Sequence, residues 1–287
     1  MKIFPLMRSS LCLACLAALV AGVASCDAPI ERITGRVVQD TLASVAADET
    51  FDILVRLPPD YDAEPAQRYP VLYQLDATWF DQFARTAGMI SRLATEGAAP
   101  ETIVVGIGHR TDQGPERNRF VDFVVADPYD PARPGRAAEF YRFLHNELAP
   151  RIEAAYRTDP DAGRALVGHS LGGAMALYAT FQREEDGSPA FRNVLAADPP
   201  YGINDGVLFG AEATLAAAAR SRPGRLHLSA AVYTTAAQKF PHKEMARRLA
   251  RDFPDLQLRT LYAETTHEGI IQISLDDGLA FVLRGGP

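Results

Sequence analysis

The 287 residues are 47% hydrophobic and 23% charged, which excludes the disordered, collagenous and disulfide-scaffold classes. The net charge is −7 and no run of five basic residues occurs, so nucleic acid is excluded as a partner on charge. The length suits one large domain over residues 33–287.

Lys2 and Arg8 make a positive start, and Leu11 to Val23 is an apolar run of signal-peptide length, short for a membrane span. It ends in Val23-Ala24-Ser25-Cys26, which resembles a bacterial lipobox, where cleavage leaves the cysteine as a lipidated N-terminus. All three cysteines (Cys12, Cys15, Cys26) lie in this leader region, so removal of residues 1–25 leaves Cys26 without a partner. An unpaired thiol in an oxidising compartment calls for a modification, and acylation is one. The expectation is a lipoprotein signal peptide (1–25), a tether (26–32) and a periplasmic domain held to a membrane by lipid alone. Loss of Lys2 and Arg8 would take the mature chain to about −9.

Strands are expected at Ile33 to Gln39, Thr50 to Leu57 and Pro70 to Leu75, the second stopping at Pro58-Pro59. Asp81 to Glu96 carries Phe83, Ala87, Ile90 and Leu93 at helical spacing. Thr102 to Ile107 is a continuous β-branched run, the mark of a strand covered on both faces. Gly108 to Arg136, rich in Pro, Gly, Asp and Arg, reads as a long loop. Ala137 to Tyr156 reads as a helix kinked at Pro150. Further strands are expected at Ala165 to Val167, Asn193 to Ala197, Leu226 to Val232 and Leu256 to Tyr262. Helices are expected at Ala174 to Ala179, Val207 to Arg220, Lys243 to Asp252 and Ile271 to Leu283. Strands alternate with helices, which implies an α/β class with a mostly parallel sheet and helices on both faces.

Gly168-His169-Ser170-Leu171-Gly172 stands between the Ala165 strand and the Ala174 helix and fits G-x-S-x-G. In that setting the serine occupies a strained turn with its Oγ clear of the sheet, and the Leu171 amide faces any oxyanion formed there. An ordinary serine on a glycine-rich turn would share the five residues but not need the strand and helix around them.

An elbow serine needs a base, which follows it in the chain. His109 and His145 precede Ser170. His169 adjoins it, and neighbouring side chains on a sharp turn are expected to point apart. His227 lies inside a strand and His242 at a helix start. His267, in Glu264-Thr265-Thr266-His267-Glu268-Gly269 between the last strand and the last helix, has the order and the sheet edge required.

The matching segments together are Tyr69-Pro70-Val71-Leu72-Tyr73-Gln74-Leu75-Asp76, Ile103 to Ile107, Arg119 with Asp122-Phe123, Glu147 to Glu153, Gly168 to Gly173, and His267 with Asp277-Gly278-Leu279. They resemble the putative-esterase (esterase D-like) family of α/β-hydrolases, which includes acyl esterases and siderophore esterases. The resemblance implies the α/β-hydrolase fold, a carboxylic ester substrate, a serine nucleophile and neither cofactor nor metal. It also implies a second oxyanion amide after the third strand, at Thr78, where Leu75-Asp76-Ala77-Thr78 has alanine in place of the family's glycine.

The family's usual acid position, after the strand ending near Val232, reads Tyr233-Thr234-Thr235-Ala236-Ala237-Gln238 and has no carboxylate. Three arrangements stand open: Asp198 after the preceding strand, Glu264 on the histidine's own loop, or a Ser-His dyad without an acid. Asp198-Pro199-Pro200-Tyr201 also resembles a pocket-lining segment of the family. Arg119 and Asp122 read as a salt bridge pinning the long loop. Trp79, Phe80 and Tyr201 read either as an aromatic wall for substrate or as rim packing. Besides a serine esterase, the same residues fit a non-catalytic binding protein that has lost its acid, or an acyltransferase to an acceptor other than water.

Overall fold

The computed structural model describes residues 29–79, 81–110, 115–126, 134–232 and 236–284. The signal segment, Cys26 and Phe80 lie outside the described residues. Eight strands, β1 (Arg36–Ser44), β2 (Glu49–Leu57), β3 (Val71–Gln74), β4 (Ile103–His109), β5 (Arg164–His169), β6 (Asn193–Ala197), β7 (Gly224–Ala231) and β8 (Leu256–Ala263), form one sheet. Their order is β1-β2-β4-β3-β5-β6-β7-β8. β1, β2 and β4 pair antiparallel, and every pairing from β4 onward is parallel.

The sheet separates two apolar cores, and successive strand residues alternate between them as a pleated strand requires. Leu72, Val104, Val167 and Leu195 pack on one side with α1 (Gln82–Thr95) and α8 (Ile270–Val282). Tyr73, Val105, Leu166 and Val194 face the other, beneath α5 (Leu171–Thr180) and the segment from 137 to 155. Tyr73 sits opposite Val105 on one neighbour and Leu166 on the other, which fixes the register at the centre of the sheet. A strand buried on both faces has no polar positions, hence the unbroken β4 run.

Four local expectations need correction. β1 begins at Arg36, not Ile33, because Gly35 takes φ 89° and breaks the extended run. The stretch expected as a loop contains α2 (Pro115–Asp122), which starts on a proline whose fixed φ suits the first helical position. The helix expected from Ala137 to Tyr156 is α3 (Ala137–Arg142), a π-helical turn (Phe143–Leu148) and α4 (Ala149–Ala155). Ahead of Pro150 the turn is widened, with the Ala149 amide on the Leu144 carbonyl five residues back, which makes room for the ring against the preceding turn. After α6 (Val207–Ala218), α7 runs from Ala236 to Asp252 through Pro241. The proline removes one bond near the start, and burial of Met245 and Leu249 holds the rest.

Candidate active site

β5 ends at His169, and Ser170 follows with φ 57° and ψ −124°. An L-residue holds such a conformation only under constraint. The constraint is visible on both sides: the Ser170 amide donates to Ala197 O at 2.9 Å, and Ser170 O accepts from the Ala174 amide at 2.9 Å as α5 begins. Gly168 is required here, since a Cβ on it would lie 2.1 Å from Gly172 O. The Leu171 amide, the first of α5, then points out from the helix N-terminus, where anions are stabilised.

The parallel strands carry the other candidates to the same edge. Asp198 follows β6 at φ 45°, with its amide on Ser229 O at 2.8 Å. His267 lies in the turn from β8 to α8. Its Nδ1 is 2.7 Å from Asp198 Oδ2. The carboxylate accepts, so Nδ1 carries the proton and Nε2 keeps its lone pair. The Asp198 side chain is 2% exposed and that of His267 32%, so the pair is anchored inside with the ring at the surface. Glu264 is exposed, and among the described residues no hydrogen bond or ion pair joins it to His267.

A histidine–carboxylate contact is not by itself distinctive in this chain. His109 Nε2 lies 3.0 Å from Asp122 Oδ2, His227 Nε2 lies 2.9 Å from Asp277 Oδ2, and His145 Nε2 contacts Glu184. His109 and His227 are buried, and burial lowers the pKa of His145 and His227. His242 is buried beside Tyr201, its Nδ1 3.3 Å from the phenol oxygen, and is pushed down to about 4 by burial. Among the histidines with a carboxylate partner, position at the edge of Ser170 sets His267 apart.

Thr78 is exposed after β3. The amides flanking it are committed, Ala77 to Ile107 O and Trp79 to Asp76 O, each at 2.9 Å. The Thr78 amide takes no acceptor among the described residues. The left-handed residue of this turn is Asp76 (φ 56°) and not Ala77, so alanine is accommodated where the family has glycine. Asp76 is gripped by Arg119, with Nε to Oδ1 at 2.6 Å and Nη2 to Oδ2 at 3.0 Å. Arg119 therefore pins the β3 turn, while Asp122 serves His109 and Arg136, whose Nε is 2.9 Å from Asp122 Oδ1. Arg136 also reaches Glu49 Oε2 at 3.0 Å. Burial, followed by the nearby Asp122, pushes the Glu49 carboxyl up to about 7.

Of the proposed aromatic wall, Tyr201 is in the core at 2% exposure. Trp79 is half-buried, its ring 5.8 Å from the Arg119 guanidinium carbon. A hollow of about 690 Å³ opens elsewhere, between Arg68, Tyr69, Asp159, Arg192 and Arg225 at the N-terminal ends of the strands. It holds none of the candidate groups. Sequence reasoning missed the Asp76–Arg119 pair and the contact His169 makes with the His267 turn. Both join distant segments that no local pattern connects.

A mostly parallel sheet with a nucleophile-elbow serine after a central strand defines an α/β-hydrolase fold. The chain belongs to the putative esterase family, whose model matches residues 44–196. It is 28% identical over 169 residues, 55% of this chain, to the ferri-bacillibactin esterase BesA of Bacillus subtilis. It is 30% identical over 118 residues, 40% of this chain, to a siderophore triacetylfusarinine C esterase of Aspergillus fumigatus. The alignments take in 56% and 40% of those proteins, so the chain spans about half the length of the curated relatives it matches. Among solved structures, the BES protein of Bacillus cereus superposes with a TM-score of 0.73 at 25% identity, covering 89% of this chain and 97% of that one. An IroE-like serine hydrolase of Shewanella oneidensis gives a TM-score of 0.72 at 26% identity, covering 86% and 80%.

The Asp76–Arg119 pair generates a stability prediction. Both side chains are almost fully buried, and removal of one partner leaves an uncompensated charge inside. Asp76→Asn should destabilise the fold by roughly 3 kcal/mol, read by denaturant unfolding. An unchanged midpoint would show that the pair does not hold the β3 turn.

Proposed function

We propose that this chain is a serine esterase with Ser170 as nucleophile, His267 as general base and Asp198 as the acid that orients it. The observation that carries the reading is the 2.7 Å contact between His267 Nδ1 and Asp198 Oδ2 at the same sheet edge as a serine in elbow conformation. With Nδ1–H committed to the carboxylate, Nε2 of His267 accepts the Ser170 Oγ proton as Oγ attacks the ester carbonyl carbon. The C–O π electrons move to the carbonyl oxygen, which the Leu171 and Thr78 amides receive. Collapse of the adduct breaks the bond to the leaving alkoxide, which takes its proton from Nε2. Water then repeats the cycle on the acyl-enzyme, releasing the carboxylic acid and free Ser170.

The curated relatives named above are siderophore esterases, which supports a siderophore ester as the substrate class here. Cys26, outside the described residues, supports a lipid-anchored periplasmic location through its lipobox context.

Ser170→Ala should abolish ester turnover and fluorophosphonate labelling with the fold unchanged, since only a hydroxyl is removed. Labelling of the variant at the wild-type rate would place the nucleophile elsewhere. A panel of esters, including a cyclic catechol trilactone with and without iron, tests the substrate class. Asp198→Asn should lower kcat on the order of a thousandfold or more; a few-fold loss in a folded variant would favour a dyad. Replacing residues 1–26 with an unlipidated secretory leader should move the protein from the membrane to the soluble periplasmic fraction with kcat/KM unchanged. An already soluble native protein with an unmodified N-terminus would overturn the anchor.

A further inference from the structure

The turn that carries His267 has little to hold it. Glu264, Thr266 and Glu268 are exposed. Its short bonds, Thr265 N to Ala263 O at 2.9 Å, Gly269 N to Thr266 Oγ1 at 3.1 Å and Ile270 N to Thr266 O at 3.1 Å, tie the turn to itself and its own flanks. Among the described residues, two hydrogen bonds cross from His267 to other strands. One is the ring contact with Asp198. In the other, His169 Nε2 donates to the His267 carbonyl oxygen at 2.7 Å. The two imidazoles lie 4.7 Å apart, centre to centre, and tilted by 36°.

We propose that His169 is a positioning residue, which holds the main chain of His267 so that the base stays in register with both Asp198 and Ser170. This inference rests on the reading of Ser170 and His267 as nucleophile and base. The geometry is economical. His169 is the register partner of Ala197 across β5 and β6, and Asp198 follows Ala197. The two anchors of His267 therefore spring from adjacent strands at adjacent levels. One grips the ring and the other the carbonyl, and two points of attachment at opposite ends of a residue fix its direction as well as its place. The Ser170 amide bonds to Ala197 O, so the nucleophile is referred to the same pair of strands.

The chemistry of His169 suits the task. Burial and then the neighbouring His267 push its pKa down to about 3. It is neutral across the working range, with its one N–H on the nitrogen that meets the carbonyl. When His267 takes up the serine proton, no second positive ring faces it. A charged side chain such as lysine could also reach a carbonyl but would repel the imidazolium formed in each cycle.

The test compares donor loss with donor retention. His169→Leu removes the donor at similar bulk, and His169→Gln returns an amide N–H near the position of Nε2. In His169→Leu, kcat for a simple ester should fall roughly ten- to hundredfold, the scale of a small misplacement of a catalytic group. KM should change little. His169→Gln should recover kcat to within a few-fold. The far-downfield proton resonance of the Asp198–His267 hydrogen bond should weaken or shift in His169→Leu and return in His169→Gln. Should leucine unfold the protein, His169→Asn, whose amide falls short of the carbonyl, supplies the donor-loss arm. Wild-type kcat in the donor-loss variant, or equal loss in His169→Gln, would overturn the proposal. Its failure is distinct from failure of the esterase reading: there, wild type shows no turnover that depends on Ser170, and both readings fall together.

Discussion

Everything at the candidate site depends on Ser170 keeping a backbone conformation that an L-residue avoids. Such strain costs on the order of 1–3 kcal/mol and persists only where the surroundings over-determine it. Here β5 fixes the chain before the serine, α5 fixes it after, and Ala197 O on β6 fixes its amide. Gly168 and Gly172 let these elements approach, and a Cβ on Gly172 would come within 2.6 Å of Asp76 Oδ2. The β3 turn, held by Arg119, thus packs directly on the start of α5, and the two candidate oxyanion amides belong to turns in contact.

His267 is placed by a different logic. Among the described residues three other histidines meet carboxylates: His109 and Asp122 are both enclosed, His227 is enclosed against a partly open Asp277, and His145 and Glu184 are both partly exposed. His267 differs because only its anchor is enclosed. Asp198 is sealed beneath the sheet edge while a third of the His267 side chain stays open, so a buried carboxyl anchors a ring that reaches the surface. Tyr201, close behind Asp198 in sequence, packs beside His242 and Phe209 and helps to close the space below.

Much of this was legible in the residues. The alternation of β-branched runs with helical periods gave the sheet, and the elbow pentapeptide between a strand and a helix marked Ser170. Chain order and position singled out His267, while Asp198 remained one of three arrangements, because strand ends converge only in three dimensions. The features that escaped are those set by tertiary partners. The widened turn before Pro150 is set by packing, and no residue pattern marks it. Tyr201 reads in sequence equally as a wall for substrate or as rim packing, and its ring neighbours Phe209 and His242, with 2% exposure, place it in the core. In sequence, His169 has no evident role, because adjacent side chains on a sharp turn are expected to diverge. It does diverge from Ser170, and that divergence brings it to the turn arriving from β8.

Asp76, Ser170 and Asp198 all have positive φ, and each lies within two residues of the end of a parallel strand. Three strained links therefore sit in a row across β3, β5 and β6, the middle of the sheet. None can be held by a single hairpin or an isolated helix, since each needs its neighbouring strand already paired. Parallel pairing joins residues far apart in the chain and forms slowly. Assembly of this edge thus requires long-range pairing and is not a local event. A chain that has collapsed without pairing these three strands holds the same side chains without the three strained links, so the arrangement at this edge reports on the completed sheet.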